Sequence, residues 1–129
     1  MTQRRVALRL KVPDTTAYTA LVALRRLGVP VARVERATLI AVPAGDDDAA
    51  LECVRRDESL FNPNLHEIEV VRLGAPGAGE IWIRADEASS MQAWRLTDEQ
   101  GLPVPPPVLE RARDALLCNP AIETAVVGS

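Results

Sequence analysis

Twice in this chain a helical pattern runs into Asn-Pro and re-emerges as an apolar strand. The segments are Leu60-Phe61-Asn62-Pro63-Asn64-Leu65-His66 and Leu117-Cys118-Asn119-Pro120-Ala121-Ile122-Glu123, 57 positions apart (62 to 119). The same offset aligns Arg56-Asp57 with Arg113-Asp114, and Val70 with Val127. Proline disfavours the α conformation in the residue before it, so each asparagine ends a helix. The asparagine side chain then bonds nearby turn backbone. Coincidence between two helix stops is one explanation. The other is a duplicated helix–turn–strand unit, complete in the first half and degraded in the second. Duplication predicts Leu60 and Leu117 buried at equivalent places, with the two units superposable.

Val6, Leu8, Leu10 and Val12 alternate with Ala7, Arg9 and Lys11, which predicts a strand with one buried and one wet face. Asp14 is placed to cap a helix whose stripe is Ala17, Leu21, Leu24 and Leu27, extended by Tyr18, with Gly28 as its stop and Pro30 beyond. Val31 to Val42 is strand-like, and Glu35-Arg36 interrupts it as a hairpin tip or as a bend in one long strand. Asp46-Asp47-Asp48 precedes a second helix over 49–60, where acidic residues suit the macrodipole. These acids lack the glycine and bidentate glutamate of a calcium loop, so no metal site is expected. Leu65 to Val71 alternates as a further strand. The order β-α-β(β)-α-β fits an α+β, ferredoxin-like antiparallel sheet with helices on one face.

Gly74-Ala75-Pro76-Gly77-Ala78-Gly79 reads as a Gly-rich linker, 74–79, between an α+β subdomain at 1–73 and a smaller, partial α+β subdomain at 80–129. It is no nucleotide fingerprint, because Lys-Ser/Thr does not follow and the glycine spacing is wrong. The second half predicts strands around Ile81-Trp82-Ile83 and Met91 to Leu96. A helix then follows Pro103 to Pro107, with Val108, Leu109, Ala112, Ala115 and Leu116 on its apolar face, and a strand closes the chain over 122–127. About fifty residues with one helix have too little core to stand alone, so this half must pack on the first half or on another chain.

Charge narrows the function classes. The 129 residues carry a net charge of −3, which disfavours a phosphate-backbone binder, and no nucleic-acid partner is expected. No apolar run approaches the ~20 residues of a membrane span, and MTQRRVALRL lacks a signal-peptide core, so a cytoplasmic protein is expected. Fourteen of the fifteen basic residues are arginine. The one lysine, Lys11, sits in a strand pattern without a glycine loop, which supports neither a Schiff-base nor a P-loop role.

A catalytic set is missing from the pattern. His66 is the sole histidine, Cys53 and Cys118 read as free thiols, and Glu67 and Glu69 share a solvated strand face. Trp82 and Trp94 read as core or interface anchors. No catalytic, cofactor or metal residues are assigned. The residues singled out, as interface or turn positions, are Asn62, Pro63, His66, Asn119 and Pro120.

Several of these segments, in order, carry a family likeness. They are Leu8-x-Leu10-Lys11-Val12 with Asp14; Ala23-Leu24-x-x-Leu27-Gly28-Val29; Val34 with Leu39-Ile40-Ala41-Val42; and Leu60-Phe61-Asn62-Pro63-Asn64-Leu65-His66-Glu67-Ile68-Glu69-Val70. Residues 4–72 thereby resemble PurS, the small subunit of the bacterial phosphoribosylformylglycinamidine synthase complex of purine biosynthesis. The tail Leu116-Leu117-Cys118-Asn119-Pro120-Ala121-Ile122-Glu123 resembles the ending of the same family. The family's chain is shorter and usually carries Gly-Lys where Arg36-Ala37-Thr38 stands here. The resemblance implies a PurS-like fold and a noncatalytic subunit without cofactors. Such a subunit dimerises and bridges a glutaminase subunit and an ATP-dependent synthetase subunit. Two other readings compete: a small-molecule-binding regulatory module acting at a dimer interface, and a small enzyme whose seam-built site uses His66, arginines and Asp46 to Asp48.

Overall fold

Each element follows from its local sequence. The computed structural model describes residues 3–72 and 74–128; Leu73, which closes the expected first subdomain, lies outside the described residues, as do Met1, Thr2 and Ser129. The alternating N-terminal segment forms β1 (Gln3–Leu10), and α1 (Thr15–Arg26) follows. The Asp14 side chain caps α1 by accepting from the Ala17 N–H at 3.1 Å. Gly28 ends the helix region at φ +82°, a conformation glycine adopts without a Cβ penalty. The Val31–Val42 segment is one unbroken strand, β2 (Arg33–Pro43), with no hairpin at Glu35-Arg36. Arg36 is accommodated there because its guanidinium bonds Asp14 at 3.0 and 3.2 Å and lies over Trp94.

The second helix, α2, spans Asp47–Arg55 and stops short of the expected residue 60, so Asn62 does not end a helix as expected, whereas Asn119 follows the helical residues to Leu117. Hydrogen bonds from Leu60 and Phe61 back to Asp57 replace the last turn of α2. Asp46 caps α2 by accepting from Ala49 N–H at 2.8 Å. Then come β3 (His66–Val71), β4 (Glu80–Ala85), β5 (Ser90–Thr97), α3 (Pro106–Ala112) and β6 (Glu123–Val127). A π-helical turn, Arg113–Leu117, extends α3, and Cys118 N–H reaches Arg113 C=O across it. The wider turn rotates the stripe by one residue. Leu117 is therefore buried, whereas Leu116 and Ala115, expected on the apolar face, are exposed.

The fold is α+β: one open, fully antiparallel sheet in the order β3-β1-β2-β5-β4-β6, consistent with a ferredoxin-like arrangement. The register exposes its internal plan. Val6 lies opposite Ile40 and Val70 in the first half, and Ile81 lies opposite Trp94 and Val127 in the second. The trios β2-β1-β3 and β5-β4-β6 are thus one three-strand unit occurring twice. Thr38 faces Leu8 and Gln92 faces Ile83, so Thr38 and Gln92 occupy equivalent positions. They also pair with each other across β2–β5, and Gln92 Nε2 donates to Thr38 Oγ1 at 3.2 Å. A local two-fold axis passes between them.

Alternate residues along each strand face opposite sides of the sheet. On one side Val6, Val42, Ala50 and Val54 pack under α2. On the same side Val34, Ile81, Ile83, Trp94 and Leu96 pack with Ala17, Ala20 and Leu24 of α1 and Leu109 and Ala112 of α3. Among the described residues, the other side carries no helix. There Trp82 lies among Ala7, Ala37, Leu39 and Ala93, with the Arg5 guanidinium 4.9 Å from its ring centroid.

α1 is the element that breaks the symmetry. It is inserted between β1 and β2, whereas a short turn containing Glu87 at φ 69° joins β4 to β5. α1 packs against the π turn, so Leu117 is 9% exposed. Its counterpart Leu60 is 36% exposed, because the second half supplies no matching helix to cover it. Equal burial of the two leucines is corrected accordingly. Tyr18 (67% exposed) and Leu27 also face outward, since the buried stripe of α1 runs Ala17, Ala20 and Leu24.

Two stability predictions follow from these contacts. Leu117→Ala should cost about 2–4 kcal/mol in urea denaturation, and Leu60→Ala under about 1 kcal/mol. Burial alone would push the Asp14 carboxyl up, but the Arg36 hydrogen bond, the Ala17 N–H and the Arg36 charge outweigh it and leave its pKa below the ordinary 3.8. A depressed carboxylate stabilises the fold above the unfolded pKa, and that contribution is lost as pH falls through the folded pKa. Asp14→Ala should therefore cost about 1–2 kcal/mol at neutral pH, mostly through the cap, with the gap to wild type closing as pH drops below 3.8.

Candidate functional site

The two Asn-Pro segments form matching corners of the sheet. At the first, Asn62 Oδ1 accepts from Asn64 N–H at 2.9 Å, and Asn62 C=O accepts from Leu65 and His66 N–H at 2.9 and 2.8 Å. At the second, Asn119 Oδ1 accepts from Ala121 N–H at 3.1 Å, and Asn119 C=O accepts from Ile122 and Glu123 N–H at 3.1 and 2.8 Å. Each corner is tied to its neighbouring strand in the same way. Lys11 N–H donates to Leu65 C=O and Asp86 N–H donates to Ile122 C=O, both at 2.7 Å. Pro63 and Pro120 follow their asparagines, and each turn leads directly into an outer strand, β3 or β6.

The corners differ in the side chains placed on that shared frame. Asn62 N–H donates to His66 Nδ1 at 3.0 Å, and Asn119 N–H donates to Glu123 Oε1 at 2.8 Å. Lys11 Nζ donates to Pro63 C=O at 2.9 Å, and an acid, Asp86, occupies the equivalent position at the second corner. The first corner is therefore basic and the second acidic. Each also presents one apolar side chain after Asn-Pro-x: Leu65 is 42% exposed and Ile122 57%. Sequence reasoning missed this pair by counting both with the apolar strands. Their shared offset from Asn62 and Asn119 is the signal that identifies them.

β3 and β6 run antiparallel at opposite edges of the sheet, so the corners are diagonal to one another. Five strand spacings of about 4.8 Å separate them by roughly 24 Å across the sheet alone.

The remaining reactive groups do not converge. Asp46 is committed to its cap, and Asp47 pairs with Arg4 and Arg72 at the far end of β3 from His66. Six residues of strand put His66 and that pair roughly 20 Å apart, so the triad of His66, arginine and Asp46 to Asp48 does not assemble within the chain. Cys53 and Cys118 are free thiols. Burial, then the neighbouring Glu123, pushes the Cys118 thiol up, away from a reactive thiolate. Glu67 and Glu69 share the helix-free face, where Glu69 pairs with Arg9. Trp82 and Trp94 are both buried in clusters. Among the described residues, no helix is long and apolar enough to cross a membrane.

In comparisons with known proteins, the chain matches no family model, no curated protein and no solved structure.

The shared turn chemistry makes a paired prediction. Asn62→Ala and Asn119→Ala each remove one side-chain acceptor and should each cost about 0.5–1.5 kcal/mol by thermal or urea unfolding. Values differing by more than about 2 kcal/mol would mean that the two turns are not energetically equivalent.

Proposed function

We propose that this chain is a noncatalytic assembly subunit of the PurS kind. It bridges the glutaminase and synthetase subunits of a phosphoribosylformylglycinamidine synthase complex in the cytoplasm. The observation that carries this reading is the pair of diagonal Asn-Pro corners on one rigid sheet. A bridging protein needs two separated docking points held at a fixed distance, and it needs no chemistry of its own. The β2–β5 pairing supplies within one chain what two shorter subunits would supply by dimerising. Opposite charge at the two corners suits two different partners, with Leu65 and Ile122 as the apolar anchors. The unpaired outer edges of β3 and β6 are the places where further self-association would occur.

The test is reconstitution. Purified chain is mixed with the glutaminase and synthetase subunits of the same organism, and sedimentation velocity and glutamine-dependent amide transfer are followed. A ternary complex is expected. Leu65→Asp and Ile122→Asp should each weaken binding of a different partner at least tenfold while leaving the melting temperature within a few degrees. Failure to associate with either subunit at micromolar concentration would sink the proposal, as would loss of both partners from either single variant.

A further inference from the structure

The sheet has two outer edges, β3 and β6, and the 57-residue offset places them in equivalent positions: Glu67 matches Thr124, Glu69 matches Val126, and Val70 matches Val127. Both edges present their backbone in the same way. Opposite residues in an antiparallel pair alternate between exchanging both backbone hydrogen bonds and exchanging none. Gly128 N–H donates to Glu80 C=O at 2.8 Å and Asp86 N–H to Ile122 C=O at 2.7 Å, so the even-numbered residues of β6 bond to β4. The N–H and C=O groups of Ala125 and Val127 therefore point away from β4, and among the described residues no strand pairs with them. Lys11 N–H donating to Leu65 C=O sets the same phase on β3, where the groups of Ile68 and Val70 point outward.

The side chains on the two edges differ. The helix-free side of β3 carries Glu67 and Glu69, both exposed, and charges there keep an open edge from pairing with another chain. At the matching positions of β6 stand Thr124 and Val126, also exposed, with Val126 at 52%. The one charge of β6, Glu123, is at its first residue and accepts from Asn119 N–H at 2.8 Å. A second copy laid antiparallel on β3 and centred on Glu69 would set Glu69 against Glu69, with Cα atoms about 4.5 Å apart. It would also press Glu67, which has no ion-pair partner among the described residues, against Val71. Like charges directly opposite are destabilising, so β3 resists this pairing. The same operation on β6, centred on Val126, meets no charge. It sets Val126 against Val126 on the helix-free side and Ala125 against Val127 on the helix side. Ala125 and Val127, whose polar groups already point outward, then exchange four backbone hydrogen bonds with their counterparts.

We propose that β6 is the self-association edge of this chain. Two copies join with β6 antiparallel to β6 about a two-fold axis at Val126, making one continuous sheet from two six-stranded ones. The ladder runs over residues 124–128 and leaves both Asn-Pro corners outside it, so the inference stands apart from the bridging reading. The contact is small for a stable complex, which places its dissociation constant in the micromolar range.

The experiment uses the full chain alone, followed by sedimentation velocity from micromolar to submillimolar concentration. A reversible monomer–dimer equilibrium is expected, the dimer having twice the 14.0 kDa mass of the chain. Val126→Glu, at an exposed side chain, should weaken the dimer at least tenfold and leave the melting temperature within a few degrees. Disulfide trapping reads the register. In a Cys53→Ser background, which removes the exposed native thiol, Val126→Cys should cross-link on mild oxidation, because the facing Cα atoms fall in disulfide range. Thr124→Cys should not, since the same axis separates its two copies by four residues along the ladder, roughly 13 Å. A strictly monomeric chain at submillimolar concentration, a dimer unmoved by Val126→Glu, an open series of oligomers built by β6 on β3, or equal cross-linking of the two cysteine variants would each overturn the proposal.

Discussion

The pairing of β2 with β5, from Arg33–Thr97 to Ile40–Ser90, is the contact on which the rest of the molecule depends. Without it, the second half is three short strands and one interrupted helix, too small to bury a core of its own. With it, the two halves share one sheet and α1 has a floor to sit on. Val34 comes from β2 and Trp94 and Leu96 from β5, and all three lie in one cluster with Ala17, Ala20 and Leu24. The same cluster reaches Leu109 and Leu117 of the second half. The seam is therefore closed twice, by backbone hydrogen bonds in the plane and by a helix laid over it. The polar Thr38–Gln92 pair at its centre is hydrogen-bonded to itself, Gln92 Nε2 donating to Thr38 Oγ1 across the axis of the pseudo-dimer.

The helix-free side is sheltered by a different device. β3 ends at one edge of the sheet, and β4 begins four strand spacings away, roughly 19 Å by ordinary sheet geometry. Gly74 lies beside Arg5 and Ala41, and Gly77 N–H donates to Glu80 Oε1, so residues 74–79 run over the helix-free side. A Gly-Ala-Pro composition gives this segment a thin profile. At Gly79, φ is +75° and an added Cβ would sit 2.8 Å from Pro103, so only glycine fits. Beneath, small residues (Ala7, Ala37 and Ala93) leave room for Trp82 to lie across the sheet.

Local features of the sequence foretold much of this. The caps at Asp14 and Asp46, the stop at Gly28 and the side-chain bonds of the Asn-Pro turns depend on a few adjacent residues and form as their chemistry requires, although α2 ends at Arg55, before the stop at Asn62 is reached. What was illegible depends on distant partners. Glu35-Arg36 looks like a break until Asp14 and Trp94 are seen to take up the arginine. Leu60 and Leu117 look alike in sequence, yet they differ in burial because α1, forty residues from one and ninety from the other, covers only Leu117. The slip from Leu116 to Leu117 needs a π turn, which no simple 3.6-residue period announces. Strand order is the extreme case. Nothing adjacent to β2 in the chain says that its second neighbour is β5.

Duplication followed by unequal decoration gives a simple physical account of the corners. A backbone turn built from Asn-Pro is held by its own hydrogen bonds, so the side chains around it are free to change without loss of shape. The acceptor for the asparagine N–H illustrates this: an imidazole nitrogen serves at His66 and a carboxylate oxygen at Glu123. The backbone position that binds each corner to its neighbouring strand behaves the same way, carrying lysine at 11 and aspartate at 86. Both changes move charge in the same sense, one corner towards basic and the other towards acidic. A symmetric scaffold with like corners would bind two copies of one partner. Reversing the charge at one corner would make the wrong partner repulsive there at little cost to stability, which is what the proposed binding of two different proteins by one pseudo-symmetric chain requires.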